Sequence, residues 1–170
     1  MRLLADNIIE TKEFSAFMSA AKKFCSFIET DLTVNGNDFI VSAKHHLVSL
    51  YFSGLTLPEV ELEIGIDIDC ADLEMKPVLK SIGERVPFSY YWMVLNPFDP
   101  NKLADIGAGD LIDDLGDIYK DLKRALILFE SNDFGAKEHA VWMFKFDFES
   151  HWEQHCVEAL YAIQNYLQNK

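Results

Sequence analysis

Two short stretches carry the residues whose types and spacing can do chemistry. Asp114, Asp117 and Asp121 follow one another at intervals of three and four residues, and His151 and His155 lie four residues apart. Residues at these spacings project from one side of an α-helix. Imidazole nitrogens that face carboxylate oxygens can bind a transition-metal ion. We therefore predict a polar cluster between the helix of the aspartates and the last helix of the chain.

A metal site in this cluster would use Asp117, Asp121 and His155. Crowded carboxylates repel one another along a helix, which favours a cation nearby. The Glu-x-x-His pairs of di-iron bundles are absent, and Glu153 stands third rather than second between the histidines, unlike a metalloprotease helix. The sequence also lacks a nucleophile elbow, a P-loop and a dinucleotide-binding loop. It therefore assigns no catalytic residue and no cofactor.

The same residues also have a structural interpretation. Asp114 or Asp117 can accept a hydrogen bond inside a helical bundle. The donors would be the side chains of Trp152, Tyr119 or His155. Buried carboxylate–histidine pairs of this kind perturb pKa values in structural positions as well as in active sites. We keep both interpretations, and we include Trp152 in the candidate cluster.

The aspartates belong to the strongest helical pattern of the chain, which runs from Asp110 to Phe129. Asp110 is the predicted N-cap, with Asp113 in the first turn, because the Gly-Ala-Gly sequence of residues 107–109 interrupts whatever precedes. The apolar residues recur with the period of one buried helix face. They are Leu111, Leu115, Ile118, Leu122, Ala125, Leu126 and Phe129. We predict that this helix is the centre of a bundle.

Four other segments complete an all-α bundle of about five helices. We predict a first helix over 6–29 and a second over 38–54, capped by Asn37. A short third helix, capped by Asp69 or Asp72, ends near residue 84. The final segment, 136–170, is predicted as one long helix or two in sequence. Residues 144–148 alternate in hydrophobicity, so a strand is the second prediction for them.

Two runs have the period of a strand rather than of a helix. Residues 60–69 alternate apolar and mostly acidic side chains, and residues 88–95 are rich in aromatic side chains. The two runs can pair into one short two-stranded segment, or both can lie as extended loops on the helices. The fold class remains all-α in either case.

The totals predict one soluble domain over residues 1–170. A chain of 170 residues can bury a sizeable core, and its formal charge of −13 argues against electrostatic binding to nucleic acid or to an anionic membrane. Cys25, Cys70 and Cys156 are too far apart to suggest a disulfide framework or a zinc cage. No signal-peptide core or membrane span is apparent, so we predict a cytoplasmic protein.

Four stretches of the chain form a recognisable set of motifs. They are 151–155 (HWEQH) with Glu158-Ala159-Leu160, 113–122 (DDLGDIYKDL), 23–29 (KFCSFIE) and 55–59 (LTLPE). Together they resemble one bacterial family, domain-of-unknown-function family 5063 (DUF5063). The resemblance implies an all-helical bacterial domain and brings no reaction, cofactor or catalytic residue with it. This chain has Glu153 where the family pattern has glycine, and that pattern admits tyrosine at the position of His151.

These observations predict a small acidic protein that acts through a protein partner of unknown identity, as an accessory module. The competing hypothesis is a metal-binding protein or metal-dependent enzyme that uses the aspartate–histidine cluster. A third hypothesis is mimicry of a polyanion, which requires the negative charge to form one continuous face. The sequence does not determine an oligomeric state.

Overall fold

The fold is predominantly helical. The computed structural model describes residues 3–30, 33–62, 72–99, 101, 103 and 105–170. The helices are α1 (Ala5–Ile9), α2 (Lys12–Thr30), α3 (Gly36–Thr56), α4 (Met75–Arg85), α5 (Leu111–Glu130), α6 (Ala136–Asp147) and α7 (Glu153–Gln168), and a π-helical turn, Phe148–Trp152, joins α6 to α7. The strands are β1 (Leu3–Leu4), β2 (Val60–Glu61), β3 (Tyr90–Val94) and β4 (Ile106–Asp110). The predicted all-α class with a short strand segment is confirmed.

Helix α5 lies at the centre of the bundle, as its apolar face predicted. It packs against α2, α4, α6 and α7. Asp110 is the N-cap, and its Oδ1 accepts a hydrogen bond of 2.9 Å from the backbone N–H of Ile112. This contact satisfies one of the N–H groups that a helix start leaves without a partner. The start and the buried face of α5 are therefore both encoded locally.

The predicted first helix, 6–29, is two helices. Thr11 separates α1 from α2 because its side chain bonds to the backbone on both sides of it. Thr11 Oγ1 donates to the carbonyl of Ile8 at 2.6 Å and accepts from the N–H of Phe14 at 3.1 Å. A threonine hydroxyl that competes with the helical ladder in this way ends one helix and caps the next.

Two predicted caps are also wrong. Helix α3 begins at Gly36 after Asn35, so Asn37 lies inside its first turn rather than before it. Helix α4 begins at Met75, and Asp72 is exposed upstream of it without capping it. Asp69 and Cys70 lie outside the described residues. Both errors arise because several polar residues precede each helix, and each of them satisfies the sequence preference for a cap.

The two strand-like runs do not pair with each other in the described residues. Strand β2 pairs in parallel with β1, in the register Leu3 with Val60. Strand β3 pairs antiparallel with β4, in the register Tyr91 with Gly109. The glycines of β4 gave no strand pattern, and the sequence indicated only a break there. Residues 63–69 of the first run lie outside the described part of the chain.

The C-terminal segment is helical from Ala136 to Gln168, so the strand alternative for 144–148 is wrong. Phe144, Phe148, Trp152 and Cys156 are all buried and follow one another at intervals of four residues. In an α-helix each such step drifts by about 40° around the axis. In the π-helical turn each hydrogen bond spans five residues instead of four, which winds the chain less per residue and corrects this drift. It thereby keeps the core face and the histidine side of this segment in register.

The core is rich in aromatic contacts. Phe17 of α2 packs edge-on against Phe144 and is stacked on Trp152, with ring centroids 5.2 and 6.4 Å apart. Gly54 of α3 lies so close to Phe148 that an added Cβ would meet its ring at 2.8 Å. Among the described helices, none has the length and hydropathy needed to cross a membrane.

Candidate functional site

The packing of α5 against α7 assembles most of the predicted cluster. Asp114, Asp117 and Asp121 lie on the side of α5 that faces the π-helical turn and the start of α7, and His151 and His155 project towards them. The two imidazole rings are 4.9 Å apart and nearly perpendicular. The structure therefore brings these five predicted residues together and determines how they pair.

Asp114 is the most buried of the cluster's aspartates and histidines, and it accepts hydrogen bonds from two donors. Its Oδ1 lies 2.8 Å from His155 Nδ1, and its Oδ2 accepts a hydrogen bond of 2.6 Å from the hydroxyl of Tyr91. Only 3 % of Asp114 is exposed. An ionised carboxylate can only accept, so Nδ1 of His155 carries the hydrogen. In the neutral ring, Nε2 of His155 is then the free acceptor.

The position of Tyr91 depends on the absence of a side chain at Gly109. Tyr91 and Gly109 are directly paired across β3 and β4. A Cβ on Gly109 would lie 2.3 Å from Cζ and 2.6 Å from the hydroxyl oxygen of Tyr91. The glycine therefore lets the tyrosine lie across β4 and reach Asp114 at the start of α5. This link ties the β3–β4 pair to the cluster.

His151 has a parallel arrangement on the solvent side. Its Nδ1 lies 2.6 Å from Oδ2 of Asp121. The side chain of Asp121 is largely buried, whereas 46 % of the His151 side chain is exposed. The contact again leaves Nε2 as the nitrogen available to a ligand. Each histidine is therefore oriented through Nδ1 by its own aspartate.

Unlike Asp114 and Asp121, Asp117 does not contact Nδ1 of either histidine. Its Oδ2 lies 3.7 Å from Nε2 of His155. One ligand atom each from Asp117, His151 and His155 falls within 4.8 Å of the others. Ligands of a tetrahedral zinc ion, with bonds near 2.0 Å, are separated by about 3.3 Å. Small side-chain rotations would therefore bring all three onto one ion.

A second acidic group adjoins the opposite nitrogen of His155. Ligand atoms of Asp114, His155 and Glu158 also lie within 4.8 Å of one another. Glu158 is one helical turn beyond His155 on α7, but Asp114 already accepts from Nδ1. This second group therefore adds negative charge beside His155 rather than a separate set of free ligands.

Trp152 does not contribute to the polar cluster. Its ring is fully buried between Phe17 and Phe148 in the core. Tyr119, another predicted donor to the aspartates, instead donates to Glu29 at 2.8 Å. Of the hydrogen bonds expected for the structural interpretation, the one from His155 to Asp114 is present.

Burial and hydrogen bonding raise the pKa values of three side chains in and beside this cluster. The hydrogen bond to Asp114 raises the pKa of His155 above its ordinary value, although burial of the ring opposes it. Burial also raises the pKa of Asp114, against the hydrogen bonds that His155 and Tyr91 donate. Burial and the phenol's bond to Asp114 raise the pKa of Tyr91 further. The three side chains are therefore expected to titrate as one coupled unit.

Asp147 is a functional candidate that the sequence did not single out. Burial, with the nearby charge of Asp121, raises its pKa to about 6, and Arg124 and His151 oppose the shift. Tyr91 and Glu158 were missed as well. Tyr91 lies about 20 residues before Asp114 in a predicted strand, so no local spacing connects the two. Glu158 follows His155 by three residues, and that spacing could have identified it.

Comparison with known proteins agrees with the fold. A crystal structure of protein BF1032 from Bacteroides fragilis superposes with a TM-score of 0.77 at 19 % identity, covering 94 % of both chains. At this identity the similarity concerns the fold alone. A search of curated proteins found no significant match. Residues 8–169 match the family described as "Domain of unknown function (DUF5063)". The chain therefore belongs to that family, as the motifs around Asp117 and His155 indicated.

Proposed function

We propose that the protein binds a divalent transition-metal ion through Asp117, His151 and His155. The observation that carries the proposal is the contact that each of the two histidines makes with a carboxylate. Each has Nδ1 within 2.8 Å of a carboxylate, of Asp121 for His151 and of Asp114 for His155. Metal-binding histidines are usually oriented in this way, because the carboxylate fixes the ring and makes the free nitrogen a better ligand.

The ligand set favours zinc or a related ion. Two imidazoles and one carboxylate suit Zn²⁺, Mn²⁺ or Fe²⁺, whereas Ca²⁺ and Mg²⁺ prefer oxygen alone. Three protein ligands leave a further position to water, and a bound ion lowers the pKa of that water. The exposure of His151 gives solvent a route to this position. The arrangement supports metal-assisted hydrolysis as the class of reaction.

Protons and metal compete for the same histidine. Because its hydrogen bond to Asp114 raises the pKa of His155, the ring keeps its proton to a higher pH than an ordinary histidine does. Because a metal ion binds the neutral ring, affinity should fall as the pH drops through that pKa. Release of protons on binding, measured by calorimetry in buffers of different ionisation enthalpy, is the expected sign of this competition.

The direct test is a calorimetric titration of the metal-free protein with Zn²⁺, Mn²⁺ and Fe²⁺ in turn. One equivalent should bind. Asp117→Asn and His155→Gln should each weaken binding at least tenfold, and Asp121→Asn should weaken it roughly 10- to 100-fold because it only orients His151. Asp113→Asn is the matched control, since Asp113 is exposed on the same helix outside the cluster.

Two results would overturn the proposal. The first is the absence of saturable binding of any of the three ions by the folded protein at pH 7.5. The second is equal affinity in Asp117→Asn and Asp113→Asn. In either case the hydrogen bonds between α5 and α7 are structural, and His155→Gln should then lower stability without changing any metal response.

A separate observation favours a second function, the binding of a protein partner. Several large apolar side chains of the β3–β4 pair are exposed, among them Tyr90 and Trp92. Contiguous exposed apolar surface is typical of interaction sites.

We also propose a cytoplasmic location. It is supported by the free thiols of Cys25 and Cys156, because a reducing compartment keeps thiols unpaired.

A further inference from the structure

Strand β3 has one edge that no other described strand covers. Two bonds fix the β3–β4 register, from Leu95 N to Asp105 O at 2.8 Å and from Leu111 N to Ser89 O at 2.9 Å. In an antiparallel pair, alternate residues direct their backbone N–H and C=O towards the partner strand. The residues of β3 that direct these groups away from β4 are Tyr90, Trp92 and Val94.

A groove runs along this edge, between β3 and α7. It consists of two hollows of about 640 and 360 Å³ that share Tyr161 of α7. In both, the strand residues of the wall belong to β3, and none of the described wall residues belongs to β4. The α7 wall from Gln154 to Tyr166 is about 18 Å long, which matches a strand of five or six residues.

Among the residues that the structure describes, the edge carries none of the usual devices that prevent strand pairing. Proteins protect exposed edges with lysine, proline, bulges or a covering element. The sequence of β3, YYWMV, has no charged residue and no proline, and its pairing with β4 is regular. Tyr90 is 76 % and Trp92 74 % exposed. An exposed apolar edge of this kind offers unpaired backbone groups to another extended chain.

The charge around the groove indicates what kind of chain fits. The segments 86–119 and 146–170, which contain β3 and α7, hold ten acidic residues against two basic residues, Lys102 and Lys170. Lys170 lines the far end of the second hollow. Glu158 itself lines the groove. A second copy of the chain, with a charge of −13, would be repelled. An occupant with lysine or arginine side chains would be attracted.

We propose that the groove binds an extended, lysine- or arginine-containing segment of a protein partner, which adds a strand to the free edge of β3. Backbone groups of Tyr90, Trp92 and Val94 form the hydrogen bonds to that segment. Its apolar side chains pack on the groove wall, including Val157, and its basic side chains face Glu158. Main-chain pairing supplies affinity and the side-chain contacts supply selectivity, as in other forms of strand addition.

The probe is a capped octapeptide of alternating lysine and valine, titrated into the full chain at low salt. Binding should slow amide hydrogen exchange at Tyr90, Trp92 and Val94, since these N–H groups gain partners. It should also shift Trp92 fluorescence to shorter wavelength. An alternating glutamate–valine octapeptide should bind at least ten times more weakly. A lysine–valine octapeptide that is N-methylated at every second residue, on its pairing edge, should lose binding to a similar extent.

Two substitutions separate backbone pairing from side-chain contact. Trp92→Pro removes an edge-facing N–H without breaking the β3–β4 ladder, whereas Trp92→Thr removes the same ring and keeps the N–H. Trp92→Pro should bind at least tenfold more weakly than Trp92→Thr. Val157→Lys should weaken binding by a similar factor, and Val48→Lys, a substitution of an exposed valine on α3, should not.

Several outcomes would overturn the proposal. One is equal binding by Trp92→Pro and Trp92→Thr, with circular dichroism showing both folded. Another is equal binding of the lysine and glutamate peptides. A third is concentration-dependent dimerisation that protects the same three amides without peptide, which would identify a second copy as the occupant. None of these readouts depends on metal, so the metal proposal can fail independently.

Discussion

Replacing Gly109 with alanine should detach Tyr91 from Asp114. The new Cβ would lie 2.3 Å from the nearest ring atom of Tyr91, whereas carbon atoms in contact are normally about 3.5–4.0 Å apart. The ring must therefore move by roughly 1 Å or more. The hydrogen bond to Asp114 is 2.6 Å long and does not survive a shift much beyond that.

The magnitude follows from the burial of Asp114. A hydrogen bond to a charged group contributes about 1.5–3 kcal/mol, and a carboxylate that is 3 % exposed has little water to replace it. We expect Tyr91→Phe to lower the free energy of unfolding by that amount. Gly109→Ala should lower it by about 1 kcal/mol more, because the displaced ring must also repack.

The decisive quantity is the coupling between the two substitutions. The hydrogen bond can be lost only once, so the double variant should be about 1.5–3 kcal/mol less destabilised than the sum of the single variants. Equilibrium urea denaturation of all four proteins measures this difference. Gly107→Ala is the matched control on the same strand, since its Cβ meets only the flexible end of Leu95.

Two results would refute this reasoning. The first is additivity of Gly109→Ala and Tyr91→Phe within about 0.5 kcal/mol, which would mean that the glycine does not act through the hydroxyl. The second is a cost for Gly107→Ala as large as that for Gly109→Ala. The pKa of His155, followed by NMR, should stay raised in Tyr91→Phe, because the hydrogen bond from His155 to Asp114 remains.

Three further predictions concern stability. The folded-state pKa of Asp147 is raised to about 6, so the native state favours its protonated form, and stability should fall as the pH rises from about 4 through 6. Asp147→Asn should therefore stabilise the protein at pH 7, by about 1 kcal/mol after allowance for solvent screening, and flatten its stability–pH profile. Trp152→Ala should cost about 3–5 kcal/mol in urea denaturation, because the ring is fully buried, and a cost below 1 kcal/mol would contradict its place in the core. Arg85 donates to the carbonyls of Phe27 and Ile28 at the end of α2. Arg85→Met should therefore lower the free energy of unfolding by about 2–4 kcal/mol and speed amide hydrogen exchange in the last turn of α2. Unchanged exchange there would contradict a role of Arg85 in capping that turn.

The sequence predicted what depends on neighbours along the chain. The cap at Asp110 and the buried face of α5 follow from contacts within a few residues, so composition and period reveal them. The pairing of His151 and His155 on one side of a segment follows from the same geometry. Where several polar residues competed for a cap, as before α3 and α4, local preference was not selective enough to choose the right one.

The tertiary structure decided which groups meet across the fold. Asp114 reaches His155 and Asp121 reaches His151 because a π-helical turn sets the rotation of α7 against α5. Tyr91 reaches Asp114 because β4, whose sequence lacks the apolar alternation of a strand, pairs with β3 and places Gly109 opposite the tyrosine. Such contacts depend on the register between distant elements, which core packing sets as a whole and no single stretch of sequence encodes. The sequence thus determined the aspartate and histidine faces, and packing decided that they form one cluster.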